Sequence, residues 1–396
     1  MGRTIAIAGG GIVGRVLAVA LASQSHLTVR LIAGPHPGED ERASALAASA
    51  RRMLARLGVW QAVAVEAEPM RGMVITDSAE GDLVRPEVLT FEGETDGHPF
   101  AHMVPNETLF RALKARCAAL GIEEHAETVT FYDEDAQGIV VELSGGGRIT
   151  ADVLIAADGR HSKVRQIAGI GVVEKDYGQC GIAGTVSHEL EHNGIATQHF
   201  LPAGPFAMLP LTGRRSSIVW TERPEFAADI ARMDPMLAGF EIERVFGLSL
   251  GRITVEKPLQ VYPLRSSVAR DFAAGRVALA GDAGHVIHPL AGQGLNLGLR
   301  DAAVLAECLI EAARIGEDPA AGLPRYVKRR RADTVQMALV TDGLNALFSK
   351  RSSLLRAARS VALGLVEERD KLKSLFMREA AGLEGELPRL MRGEAI

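Results

Sequence analysis

Residues 281–301, GDAGHVIHPLAGQGLNLGLRD, gather residue types suited to holding an anion or a ring. Gly281, Gly284, Gly292 and Gly294 let the backbone approach a ligand with no Cβ in the way. Residues 275–280 before the loop read as a short buried strand. Residues 295–314 after it read as a long helix, with Leu295, Leu299, Ala302, Ala306 and Leu309 near helical spacing. A helix starting near residues 293–295 aims unpaired N–H groups and a positive dipole end back into the loop. That suits an anion, or a ring system that becomes anionic on reduction. Asp282 cannot neutralise phosphate there, and its expected work is to accept hydrogen bonds from hydroxyls, as on a ribityl chain. His285 and His288 are candidate bases, the alternative being that they shape the loop by hydrogen bonding.

Two further segments carry the same kind of chemistry. Residues 9–14, GGGIVG, fit G-x-G-x-x-G between a buried strand (residues 4–8) and an Ala/Leu-rich helix (residues 12–23). Gly9 permits the tight turn, Gly11 admits a pyrophosphate, and Gly14 lets the helix pack on the strand. The acid that should close the second strand, residues 27–32, and hold an adenosine ribose is absent, because Ala33 stands there. Glu39, Asp40 or Glu41 reaching back is one substitute; backbone and water are another. Residues 152–157, DVLIAA, form another buried strand, running into Asp158, Gly159, Arg160 and Lys163. An Asp-Gly at that strand end faces the crevice of the first glycine turn. Arg42, at the entrance of an alanine-rich helix expected to reach Leu57, is placed to pair with pyrophosphate or ribityl oxygens, or else is solvated.

The elements that must position these groups alternate between strand and helix. Strands are expected over residues 73–77 and 84–91, a helix over 107–120, and a meander over 127–132, 138–143 and 148–150. From residue 177 to 270 the texture changes to alternating segments of a mostly antiparallel sheet, interrupted by helices over 225–232 and 235–246. Helices over 324–348, 352–366 and 371–381 complete the chain, and the RYVKRRR run at 325–331 reads as a solvated helix face.

The bulk numbers narrow the class. A chain of 396 residues suggests two or three domains on the soft prior of about 150 residues each. A net charge of -5 gives no reason to expect a nucleic-acid partner. Cys117, Cys180 and Cys308 lie far apart without metal or C-x-x-C spacing, which fits a reducing cytoplasm. No run of eighteen uninterrupted apolar residues occurs, so a spanning helix is not expected. Neither a catalytic triad nor a metal-ligand cluster stands out.

Taken together, residues 9–14, 158–165 and 281–296 resemble the FAD-dependent aromatic hydroxylases, the single-component flavoprotein monooxygenases. HPLAGQGLNLGLRD (288–301), TDGLNALFS (341–349) and FMREAAGLEGELPRLMRG (376–393) are most similar to the ubiquinone-biosynthesis hydroxylases within that superfamily. The resemblance implies an α/β fold: a glutathione-reductase-like, Rossmann-type FAD domain over residues 1–74, 99–175 and 266–340. It further implies an inserted, mostly antiparallel sheet domain for substrate over 75–98 and 176–265, and a C-terminal helical tail over 341–396. By position, Gly9, Gly11 and Gly14 would meet the pyrophosphate with Arg42 and Asn106 nearby. Asp158 and Gly159 would lie between FAD and the reductant. Asp282 would hold the ribityl chain, while Pro289, Gly292, Gln293, Gly294, Leu295 and Asn296 would border the flavin ring, and His288 and Pro289 would form its catalytic side. Pro105, where the family has an acid before the Asn106 position, is a departure.

The implied reaction is hydroxylation of an aromatic ring through a flavin hydroperoxide, with FAD bound non-covalently and NADH, NADPH or a ferredoxin-type donor as reductant. The helix N-terminus near Gly294 would stabilise the reduced ring by roughly a kcal/mol or more. The implied partners are O2 and a polyprenylated phenol or quinone precursor. A cytoplasmic protein, peripheral on the inner membrane and associated with a quinone-biosynthesis complex, follows from that substrate. Hydroxylation of a small soluble aromatic and a non-catalytic FAD-binding scaffold are the alternatives.

Overall fold

The computed structural model describes residues 2–35, 38, 40–77, 87–92, 94–95, 97–288, 292–348 and 370–396. The expected helix over 352–366, the residue Glu39 and the site residue Pro289 therefore lie outside the described residues.

Near-continuous apolar runs such as TIAIA and VLIA form strands buried on both faces, as a parallel sheet requires. Six strands stand in the order Glu123–His125, Thr28–Ile32, Thr4–Ala8, Val153–Ala156, Val277–Leu279 and Ala273–Ala274. The first five run parallel, and the last pairs antiparallel at the edge. The helices Ile12–Gln24 and Gln293–Arg314 cover one face, where Val16, Leu17, Leu299, Ala302 and Leu305 share a core. The meander Val129–Glu134, Ile139–Leu143 and Arg148–Ala151 covers the other, through Tyr132, Ile139 and Val141.

This strand order creates the crevice. From Thr4–Ala8 the chain turns to Thr28–Ile32 on one side, while Val153–Ala156 occupies the other, so their carboxyl ends form a topological switch point. Ala8 pairs with Ala156, and Ala156 with Leu279. The three segments singled out in the sequence thus begin one or two residues beyond three adjacent strand ends.

A second, nine-stranded sheet holds Gln260–Ala269, Val172–His188, Arg215–Glu222, Gly204–Leu211, Ile195–Leu201, Gly72–Asp77 and Glu87–Glu92 in sequence across it. His285–Val286 pairs at one edge, and Ile253–Val255 pairs off the path with Val172–His188. All these pairs are antiparallel except Ile195–Leu201 with Gly72–Asp77. On one face Ile182, Phe206, Ile218 and Trp220 pack under the helices Pro224–Arg232 and Pro235–Phe246. The other face looks toward the crevice.

Two expectations are corrected. Residues 43–47 are not the start of the alanine-rich helix. They form the strand Ala43–Ala47, antiparallel to Ala101–Pro105, and the helix begins at Ala48. Helix propensity amounts to tenths of a kcal/mol per residue, about 0.7 at most for ordinary residues, and strand pairing overrides it. Nor is the 325–331 run a solvated face throughout: Tyr326 and Arg330 are wholly buried, because the buried Asp301 carboxylate takes the Arg330 guanidinium as its counter-ion at 2.7 Å.

Candidate FAD and substrate site

Between the strand ends and the second sheet lies one cavity of about 850 Å³, toward the upper end of the usual range for ligand pockets. Its polar end is made of backbone. Gly9 has φ +118° and an added Cβ would stand 2.1 Å from Ala157 O; one on Gly14 would stand 2.0 Å from Gly9 O. These two glycines let the turn, the strand and the first helix close on each other. Gly11 differs: its φ of -73° suits any residue, and a Cβ there would enter open cavity with nothing within 4 Å. The space kept clear at Gly11 faces the ligand.

Across the cavity, the helix Gln293–Arg314 begins at Gly292, whose φ of +62° turns the chain and whose cap makes no side-chain hydrogen bond. The first N–H groups of a 22-residue helix therefore point to the wall formed by Gln293, Gly294 and Leu295. A Cβ on Gly294 would again enter open space. Asp282 sits in the short helical turn Gly281–Ala283 with its side chain exposed to the cavity, and desolvation by the protein around that cavity pushes its carboxyl pKa up. Hydroxyl donors would relieve that cost.

Arg42 and Asn106 also reach this wall, joined by a residue whose role the sequence left open. Asp40 accepts from Arg42 Nε at 2.7 Å and Nη2 at 2.8 Å, and from Asn106 Nδ2 at 2.8 Å. Burial alone would raise the Asp40 pKa, but the guanidinium more than offsets it and holds the carboxyl below its usual range. Asn106 in turn accepts from Ser44 Oγ at 2.7 Å. Arg42 enters the strand Ala43–Ala47, not a helix as expected.

Two residues expected at the site, Asp158 and Asn296, do not line the cavity. The Asp158 Oδ2 accepts from Lys163 N at 2.8 Å and Val164 N at 3.3 Å, so it ties down the start of the helix Lys163–Ile167. Gly159 and Arg160 line the cavity in its place. Asn296 accepts from Ala47 N at 3.0 Å and donates to Ala45 O at 2.8 Å, so its amide serves the strand beside the cavity.

The two histidines differ. His285 Nε2 lies 2.5 Å from Asp301 Oδ2, which also accepts from Gly281 N at 2.9 Å, while Arg330 holds the other oxygen. This network pins the loop to both late helices; sequence spacing gave no sign of it, since an Asp and an Arg 29 residues apart pair only through the fold. His288 lines the cavity edge-on to Tyr177, ring centroids 4.8 Å apart, and neither ring nitrogen has a hydrogen-bond partner among the described residues. Burial lowers its pKa to about 4, so it is neutral at physiological pH and placed to hold or release a proton only in a strongly acid range.

The other end of the cavity is apolar, with Met73, Ile75, Leu89, Phe91 and Phe200 from the second sheet and Met377 from the tail helix Asp370–Ala380. Backbone room at Gly11, an uncapped helix start, a carboxylate open to the cavity and an adjacent Arg fit a long dinucleotide whose ring end meets a largely apolar chamber, as FAD would.

The comparisons agree with that geometry. The chain matches the FAD binding domain family over residues 3–341. It is 40% identical to ubiquinone hydroxylase UbiL of Rhodospirillum rubrum, covering 98% of this chain and 92% of that protein. It is 35% identical to the 3-demethoxyubiquinol 3-hydroxylase of Escherichia coli, covering 96% and 98%. The crystal structure of p-nitrophenol 4-monooxygenase PnpA from Pseudomonas putida shares the fold, with a TM-score of 0.82 at 20% identity, covering 98% of this chain and 99% of that one. The chain belongs to the FAD binding domain family and, within it, to the FAD-dependent aromatic hydroxylases of ubiquinone biosynthesis.

Proposed function

We propose that the enzyme hydroxylates the ring of a phenol or quinone precursor that carries a polyprenyl tail. What supports this most directly is the cavity between the strand ends and the second sheet, mostly apolar on its sheet side, with room for a ring and a hydrocarbon chain together. Gly9, Gly11 and Gly14 would accept the pyrophosphate, with Arg42 and Asn106 beside it. Asp282 would accept hydrogen bonds from the ribityl hydroxyls, and the backbone of Gly292, Gln293, Gly294 and Leu295 would border the ring. Bound and reduced, FAD supplies the activation of O2 for transfer of one oxygen atom to an aromatic carbon. The protein's part is to orient the substrate ring, keep water out and hold negative charge at the helix start.

The division into an FAD domain (1–74, 99–175, 266–340), a substrate sheet (75–98, 176–265) and a tail (341–396) belongs to the same proposal. So does a peripheral site on the inner membrane, where a prenylated substrate resides; no helix among the described residues is long and apolar enough to cross a membrane. NADH, NADPH or a ferredoxin-type protein would supply the electrons. The test is the lipid extract of a deletion strain: a prenylated phenol should accumulate and quinone should fall. Normal quinone with no such intermediate overturns the proposed substrate, leaving a small soluble aromatic in its place.

A further inference from the structure

The sheet wall of the cavity contains one register row that crosses six strands. Leu89 pairs with Ile75, Ile75 with Gln198, Gln198 with Ala207, Ala207 with Val219, and Val219 with Ala183. All six side chains line the cavity. Because side chains alternate faces along each strand, these six stand side by side, spanning about 24 Å at roughly 4.8 Å per strand. Five are apolar and one is an amide. On one side of Gln198 the residues are large; on the other, Ala207, Val219 and Ala183 leave a shallow floor.

Gln198 is only 6% exposed, and its carboxamide has no hydrogen-bond partner among the described residues. Its amide atoms are not fully enclosed by protein, and the side chain opens on the cavity. A carboxamide offers two donors and an acceptor, and leaving them unmet in a mostly apolar wall, whose other polar side chains on this sheet face include Ser217 and Thr221, is unfavourable. The strand Gly204–Leu211, which carries Ala207, packs against Glu68–Met70 and Ala101–Pro105. The latter strand pairs with Ala43–Ala47, and a Cβ on Gly292 would rest 3.6 Å from Ala45 Cβ. The strand that carries Ala207 thus packs on the sheet that holds Ala45, beside which the late helix begins.

We propose that Gln198 is the specificity-determining contact for the substrate's ring oxygen. Its carboxamide hydrogen-bonds a ring hydroxyl, fixing the rotation of the ring about the normal to its plane and so which carbon is presented for hydroxylation. The ring lies over the floor of small residues and the hydrocarbon tail runs along the apolar remainder. This rests on the prenylated-phenol reading above and deepens it.

The test uses the FAD-loaded full chain with two probes of equal shape, 2-geranylphenol and geranylbenzene, their binding followed by the change in flavin absorbance. The wild-type protein should bind the phenol at least about tenfold more tightly than the hydrocarbon, as sites built around a hydroxyl do. Gln198→Leu should lose that preference while keeping its FAD content, its melting temperature and its affinity for geranylbenzene. The variant should also pass more of its reducing equivalents to hydrogen peroxide. Gln198→Glu, which keeps an acceptor at the same reach, should restore part of the preference. If Gln198→Leu discriminates as well as wild type, the assignment of Gln198 is wrong and the substrate reading stands. If wild type binds neither probe, the substrate reading fails and the assignment falls with it.

Discussion

Individual residues in the glycine turn are separable by what each would collide with. Gly9 and Gly14 are required by the polypeptide itself, since any Cβ would strike backbone oxygen at about 2 Å. Gly11 is required only by what lies in the cavity, since its backbone angles are ordinary and its surroundings open. Gly11→Val should therefore leave the melting temperature of the FAD-free protein within a few degrees of FAD-free wild type. A steric clash of about 3 kcal/mol corresponds to about a hundredfold loss of FAD affinity, read from flavin fluorescence on titration. A variant that still purifies yellow would remove the pyrophosphate from this turn. Gly9→Ala, by contrast, should fail at the level of folding. The glycine spacing was legible in the sequence because it encodes a local backbone demand. Asp40 was not, because its clasp on Arg42 and Asn106 depends on a side chain 66 residues away.

At the scale of elements, the strand Ala43–Ala47 is the piece that local sequence misreads, and Asn296 explains how it persists. The strand lies at the edge of a three-stranded sheet, and the Asn296 amide bonds Ala45 O and Ala47 N along its open side. One side chain from the late helix thus stands in for a further strand. Asn296→Ala leaves that buried donor and acceptor unmet, and should cost about 2 kcal/mol of stability in urea denaturation. FAD affinity should fall as well, because Ala45 forms the cavity wall; unchanged stability would show that the edge needs no such partner. Alternation of strand and helix around the parallel sheet was legible, since apolar runs and glycine turns are local signals. The cavity-facing row was not, because both faces of the second sheet are covered. Ile182 and Ala183, Trp220 and Val219, and Phe206 and Ala207 are neighbours on opposite faces, and hydropathy does not distinguish them. Size does: the larger member of each pair packs under helices, the smaller faces the cavity.

For the whole molecule, buried histidines make stability depend on pH in a window set by their positions. His102 lies in the strand Ala101–Pro105, 9% exposed, edge-on to Trp60 with ring centroids 5.1 Å apart. Burial, helped by the charge of Arg51, lowers its pKa to about 4, and burial does the same to His288. Both are neutral in the folded protein, whereas in the unfolded chain each takes up a proton near pH 6.5. As pH falls from 6.5 toward 4 the unfolded state binds protons that the folded state refuses, so stability is lost across that window, by up to about 3 kcal/mol for each histidine. Asp301 works in the same sense but lower down: His285 and Arg330 overcome burial to hold its pKa below the usual range, so its contribution persists until pH drops beneath about 4 and is lost below that. Denaturation midpoints measured from pH 7 to 4.5 should therefore fall steadily for wild type. His102→Phe, which keeps a ring against Trp60 and removes the titrating group, should lose stability less steeply over the same range. An identical slope in the variant would mean that His102 is protonated within the fold, and the acid sensitivity would then belong to His288 at the cavity wall and to His188, whose pKa burial also lowers.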